Sequence, residues 1–226
     1  MLPTLTIENY VKAIYLLSSP DSNAPISTGR LAARLTVSPG TVTSMLKTLK
    51  ESELAEYTPY EGVRLTEAGK RLALRVLRRH RLIELFLVKT LNLSWDEVHE
   101  EAENMEHAVS DLLIDRLDDF LGKPSTDPHG DPIPRADGTV AATSRQSLAT
   151  CEEEDTFRVV RVIDQSPEFL RYLSDAGLPL GCEGKVTANR MESAMMSVLV
   201  SGKETSLAHR VAESLMIERL GKGQTE

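Results

Sequence analysis

The hydrophobic rhythm of the chain changes several times along its length. Between residues 6 and 17, Ile7, Tyr10, Val11, Ile14 and Leu17 recur at the spacing of one helix face. The segment SSPDSNAP (18–25) breaks that rhythm. ISTGRLAARLTV (26–37) predicts a short helix with Ser27 or Thr28 as N-cap. SPGTVTSMLKTLKESEL (38–54) predicts a second, with Ser38 as cap and Pro39 at the first helical position. AEYTPYEGVRLTEAGK (55–70) alternates and turns at Pro59 and Gly62, which predicts a two-stranded hairpin leading into a helix at Thr66.

From 66 to about 120 the pattern is helical, with one break near LNLSW (91–95). There Ser94 and Glu97 have the spacing of a capping box. Residues 122–147 hold four prolines and three glycines, which excludes regular structure and predicts a linker or an ordered loop. From about 148 the runs are short and alternating, as in FRVVRVI (157–163) and MMSVLVSG (195–202), with one helical stretch at SPEFLRYLSDAG (166–177). The expected fold is mainly α with a smaller β part. Its three domains are a winged helix–turn–helix at 1–73, a helical domain ending in a Pro-rich loop at 74–140, and a small β module at 148–226.

Composition narrows the class. The 226 residues include 41% hydrophobic and only 4% aromatic positions, so the helices are built on Leu, Ala and Val. No apolar run approaches the ~18 residues of a membrane span, and the amphipathic N-terminal segment, with Glu8 and Lys12 inside it, does not read as a signal peptide. Two cysteines, Cys151 and Cys182, make no disulfide framework. The expectation is a cytoplasmic protein with no membrane partner.

Charge is unevenly distributed. The formal net charge is −8, yet between Ser27 and Lys50 there are four basic residues and no acidic one. Between Arg81 and Phe120, eleven acidic residues face three basic ones. The first region suits phosphates and the second suits cations. In the first, the second helix opens with Ser38, Pro39, Gly40, Thr41, Thr43 and Ser44. Small hydroxyl residues at a helix N-terminus fit a major groove and its flanking phosphates. Ser27 and Lys47 complete the candidate DNA-binding set.

The acidic region contains HEEAENMEH (99–107). On a continuous helix His99, Glu103, Glu106 and His107 share one face. The preceding helix carries His80 and Glu84 four residues apart. Imidazole and carboxylate donors on two neighbouring helices make a divalent-cation site a stronger reading than a solvated acidic face. A zinc protease is disfavoured because HExxH is missing, and neither Glu84 nor any glutamate of 99–107 has the histidine three residues on that a carboxylate-bridged di-iron pair needs. The alternatives are a winged-helix regulator independent of metal and, less favoured, a metalloenzyme. The apolar faces between 66 and 120, with Leu82, Leu85, Phe86, Leu112, Leu113, Leu117 and Phe120, exceed what a small monomer buries and predict a homodimer. Such a dimer would bind a palindromic double-stranded operator with half-sites about one helical turn apart.

Six segments, in order, resemble the metal-dependent transcriptional repressors of the diphtheria toxin repressor family. They are ENYVKAIY (8–15), VSPGTVTSMLKTL (37–49), LTEAGK (65–70), RRHRLIELFL (78–87), HEEAENMEHAVSD (99–111) and DPHGDPIP (127–134). The resemblance implies a metal-activated repressor controlling metal homeostasis, with an SH3-like C-terminal domain. It implies a primary metal site at Asn9, Glu103, Glu106 and His107, and a second at His80, Glu84 and His99 with Asp164 as helper. The family's iron branch has Cys where this chain has Glu103 and Met where it has Asn9. Its manganese branch has Glu and Asp there, and Glu where this chain has Lys12. The expected co-repressor is Mn(II), with Fe(II) the alternative. Lys12 departs from the manganese branch and places an ammonium either near the site or in solvent.

Overall fold

The computed structural model describes residues 4–18, 24–144 and 146–222. The break expected over 18–25 lies partly outside them, at 19–23. Two compact units are present. One comprises 1–80, 103–114 and 134–140; the other comprises 81–102, 115–133 and 141–226.

In the first unit α1 (Leu5–Leu17) is capped by the Thr4 hydroxyl. Then come α2 (Thr28–Leu35) and α3 (Pro39–Glu51), joined by a turn in which Thr36 is left-handed with φ 54°. Ser27 Oγ accepts from Arg30 N–H, and Ser38 Oγ accepts from Thr41 N–H at 3.1 Å, so both expected N-caps form. The strands β1 (Ala55–Thr58) and β2 (Gly62–Leu65) make the antiparallel wing, and Ile26 pairs with Val63 at its edge. Gly62 is required there. Its φ is +118°, and a Cβ would stand 2.5 Å from the Ile26 carbonyl oxygen. Val11, Ile14, Leu31, Val42, Leu46, Leu49, Val63 and Val76 form the buried core that holds α3 in place.

The long helix α4 (Glu67–Leu91) follows the wing. The acidic stretch departs from the sequence expectation. It is not one helix but two, α5 (Val98–Met105) and α6 (Asp111–Phe120). Glu106 and His107 sit in the turn between them, so they do not continue the face of His99 and Glu103. The turn closes through Ala108 N–H to the Met105 carbonyl, and Ser110 caps α6 through Leu113 N–H. Ser94 and Glu97 do bond, Oγ to Oε2 at 2.6 Å, yet the helix begins only at Val98 because 95–97 form a turn.

The second unit contains the Pro-rich loop as far as Ile133 and the β module. The loop is ordered, with Asp127, His129, Gly130, Asp131 and Ile133 buried and a bridge between Thr126 and Pro132. Five antiparallel strands, β3 (Asp155–Val162), β4 (Glu183–Arg190), β5 (Met195–Val200), β6 (Lys203–Ala208) and β7 (Leu215–Lys222), run in the order β6-β5-β4-β3-β7. They wrap a core of Phe157, Val159, Val186, Val198 and Ile217, closed by Leu170 and Leu173 of α7 (Pro167–Ala176). A short α8 (His209–Glu213) precedes β7. The architecture is the expected mainly α fold with a winged helix–turn–helix and an SH3-like module. No helix among the described residues is long and apolar enough to cross a membrane.

Candidate metal centres and DNA interface

Two clusters of cation-type donors form, one in each unit. In the first, α1 supplies Glu8, Asn9 and Lys12, α4 supplies His80, and the end of α5 with its following turn supplies Glu103, Glu106 and His107. His107 Nδ1 lies 2.6 Å from Glu8 Oε2, and its Nε2 lies 2.7 Å from Asn9 Oδ1 and 3.2 Å from Glu106 Oε1. If Nδ1 donates to Glu8, a neutral ring carries its lone pair on Nε2. That lone pair then faces two oxygen acceptors, an arrangement satisfied by a cation between them. A carboxylate fixing the far nitrogen of an imidazole is the usual support for a metal-bound histidine. Glu106 is fully buried. Its Oε2 lies 2.6 Å from His80 Nδ1, and its Oε1 lies 2.5 Å from Lys12 Nζ. Lys12 Nζ also reaches Glu103 Oε1 at 2.6 Å. Arg79 stands 3.6 Å from Glu8 and 2.7 Å from Asp111.

The second cluster is Glu84, Asp127 and His129, whose donor atoms lie within 4.8 Å of one another. His99 Nδ1 adds a contact at 3.3 Å to Glu84 Oε1. The DPHG turn aims His129 inward. Asp127 Oδ1 accepts from His129 N–H at 2.8 Å and from Asp131 N–H at 2.9 Å. Gly130, at φ +86°, lets the turn touch β3, since a Cβ would meet the Val160 carbonyl oxygen at 2.1 Å. The His129 ring is completely buried; its Nε2 meets the Trp95 carbonyl at 2.7 Å, so it must carry the proton there. In a neutral ring Nδ1 then holds a lone pair. Among the described residues it has no hydrogen-bond partner, and it faces Glu84 Oε2 at 3.8 Å. An orphaned imidazole lone pair opposite a buried carboxylate fits a divalent cation and is costly without one. Burial, with Asp131 and Glu84 nearby, pushes the Asp127 carboxyl up to about 8, against the opposing pull of Arg81.

The structure thus brings Asn9, Glu103, Glu106 and His107 together, sets His80 against Glu106, and sets Glu84 against His99. It adds Glu8, Asp127 and His129, which the sequence did not single out. Asp164 is exposed, and its Oδ1 accepts from Ser166 N–H at 3.0 Å. Its neighbour Gln165 is the residue of that loop that turns inward, bonding Asp131 Oδ2 at 2.8 Å. Neither cysteine joins a cluster. Cys151 is buried, and burial pushes the Cys182 thiol up to about 11.

Of the candidate DNA-binding residues, Pro39, Gly40, Ser44 and Lys47 are exposed along α3, and Ser27 is exposed at the start of α2. Ser38 and Thr41 bond each other at 2.9 Å, and Thr43 Oγ1 donates to the Pro39 carbonyl. Tyr60 projects from the wing tip with φ 69°.

A winged helix–turn–helix together with clusters of cation-type donors and an SH3-like module has the make-up of a metal-responsive DNA-binding regulator. Residues 3–63 match the iron dependent repressor N-terminal DNA binding domain, residues 66–135 the iron dependent repressor metal binding and dimerisation domain, and residues 146–219 the FeoA domain. The chain is 29% identical over 228 residues to the iron-dependent repressor IdeR of Mycobacterium tuberculosis, covering 95% of this chain and 97% of that one. It is 41% identical over 118 residues to the HTH-type transcriptional regulator MJ0568 of Methanocaldococcus jannaschii, covering 52% and 94%. A solved manganese-dependent transcriptional repressor in complex with manganese superposes with a TM-score of 0.85 at 40% identity, covering 95% of this chain and all of that one. The chain belongs to the iron-dependent repressor family, the diphtheria toxin repressor class. It is a metal-dependent DNA-binding repressor of metal homeostasis that dimerises, and not an enzyme.

Proposed function

We propose that Mn(II) is the co-repressor and that Asn9, Glu103, Glu106 and His107 hold the activating ion. The observation that carries this is the donor set: carboxylate, amide and imidazole, with no thiolate or thioether in either cluster. Oxygen-rich sites suit Mn(II) and Fe(II) by ligand type, although raw affinity still rises along the Irving–Williams series. The manganese complex of the superposed repressor supports the choice of manganese.

A bound cation supplies the positive charge that offsets the repulsion between Glu103 and Glu106. Glu8 holds the His107 ring in orientation through Nδ1. Asn9 ties α1, and with it the helix–turn–helix core, to the turn after α5. That tie fixes the spacing of the two recognition helices in the dimer, so the DNA-competent state is the one that binds metal more tightly. Glu84, Asp127 and His129 with His99 would hold a second, supporting ion. Ser38, Pro39, Gly40 and Ser44 would read a palindromic operator through apolar and shape contacts, with Thr41 and Thr43 on phosphates and Ser27 and Lys47 completing the DNA-binding set.

The test is operator binding titrated in parallel with Mn(II), Fe(II), Co(II) and Zn(II) under anaerobic conditions. Activation by Mn(II) at lower concentrations than by Fe(II) supports the reading; activation by Fe(II) alone overturns the choice of metal.

A further inference from the structure

We propose that Lys12 is a resident counter-cation of the Glu103–Glu106 pair, which a divalent metal must displace, and that it sets the metal concentration at which this centre fills. The inference rests on reading the first cluster as a metal centre. Lys12 is only 7% exposed and Glu106 is completely buried. The ammonium lies 2.6 Å from Glu103 Oε1 and 2.5 Å from Glu106 Oε1, so it bridges the two carboxylates that a metal would need. The Glu106 oxygen it holds is the one 3.2 Å from His107 Nε2. Ammonium and metal therefore compete for one atom.

Physical chemistry makes the two occupants exclusive. An ammonium has three donors and no lone pair, so it satisfies carboxylates but cannot share a coordination shell. A divalent ion beside a retained ammonium would meet strong repulsion in a site where salt screens little. Glu8, the third carboxylate nearby, already has Arg79 at 3.6 Å, which leaves the Glu103–Glu106 pair as the charge that Lys12 balances. Asn9 and Lys12 lie three residues apart on α1, so the amide and the ammonium come from the same helix face. The Glu103 side chain is 35% exposed, which gives the flexible lysine stem a route to solvent when it is displaced. Because the ammonium is tethered, its local concentration exceeds that of any free cation, and metal must overcome it.

The test uses the full chain and Mn(II) alone. Calorimetric titration identifies the class of Mn(II) sites that Glu103→Gln removes; Lys12→Gln, Lys12→Met and Lys12→Arg are then compared with wild type in that class. The two neutral variants should bind Mn(II) at least about tenfold tighter. Their chelator-treated forms should melt at lower temperature, because the carboxylates then lose the ammonium that bridges them, and Mn(II) should raise their melting point more than it raises that of wild type. Lys12→Arg, which keeps the charge, should stay near wild type. Affinity unchanged or weakened in both neutral variants, with an intact Glu103-sensitive class in wild type, overturns the inference alone. Absence of any Glu103-sensitive class in wild type overturns the metal-centre reading and the inference with it.

Discussion

His107 Nδ1 and Glu8 Oε2 stand 2.6 Å apart across 99 positions of sequence. Glu8 is not needed as a ligand for this contact to matter, because it sets which nitrogen of His107 offers a lone pair to the other donors. Replacing Glu8 by Ala should weaken Mn(II) binding by about 10–100-fold, the usual effect of losing a residue that orients a metal-bound histidine. Calorimetric titration checks it. An unchanged affinity would show that Glu8 does not orient the ring.

The buried Asp127 predicts a pH dependence for the metal-free chain. Its pKa is pushed up to about 8 by burial and by neighbouring carboxylates, against 3.8 for an unperturbed aspartate. In the native chain it keeps a proton that the unfolded chain has already lost. Stability should therefore be highest at low pH as far as this group is concerned, and fall as pH rises from about 4 to about 8, by an amount on the order of a few kcal/mol. Melting curves in chelator at pH 5, 6.5 and 8, for wild type and Asp127→Asn, isolate the effect. The wild-type curve should fall more steeply than that of the variant; parallel curves would contradict it.

Much of the fold was legible because its signals are local. Ser27 and Ser38 precede apolar helical runs and cap them as expected, and Pro59 with Gly62 marks the wing. The break of the acidic stretch at Glu106 was not legible. Glu, His and Ala carry no helix-stopping signal, and the turn is closed by backbone bonds and the Ser110 cap. The candidate site divides along the same line. Glu103, Glu106 and His107 stood out by their density in nine residues. Asp127 and His129 did not, since they lie in a Pro- and Gly-rich loop without periodicity and meet Glu84 only through tertiary folding. Glu8 was hidden beside Asn9 as an ordinary helix-starting acid. Asp164 was placed by its position after β3, yet exposure at that bend leaves its carboxylate to cap Ser166.

Recognition of DNA should separate by side-chain commitment. Ser44 is exposed and projects from α3, whereas Thr41 is already bonded to Ser38. Ser44→Ala should alter sequence preference at one operator position. Thr41→Ala should weaken all sequences alike. Binding to a randomised operator library with each variant decides; equal loss across all sequences for both would remove the distinction.

The outer face of α6 supports the dimer. Leu112 is 69% exposed, Leu113 47% and Phe120 68%, more apolar surface on one short helix than a monomer commonly leaves in water. Leu112→Glu with Phe120→Asp should convert the dimer to a monomer in light scattering at micromolar concentration. It should also abolish tight operator binding, which needs two helix–turn–helix units. A dimer of unchanged mass would place the interface elsewhere.

The central claim is that metal held by Glu103 and its neighbours switches on DNA binding. Its most direct test is operator affinity measured in chelator and in saturating Mn(II), for wild type and Glu103→Ala. The account predicts that Mn(II) tightens wild-type binding by about tenfold or more, and that the variant, still folded and dimeric, gains little. Equal wild-type affinity in the two conditions, or full activation of Glu103→Ala by Mn(II), would contradict it.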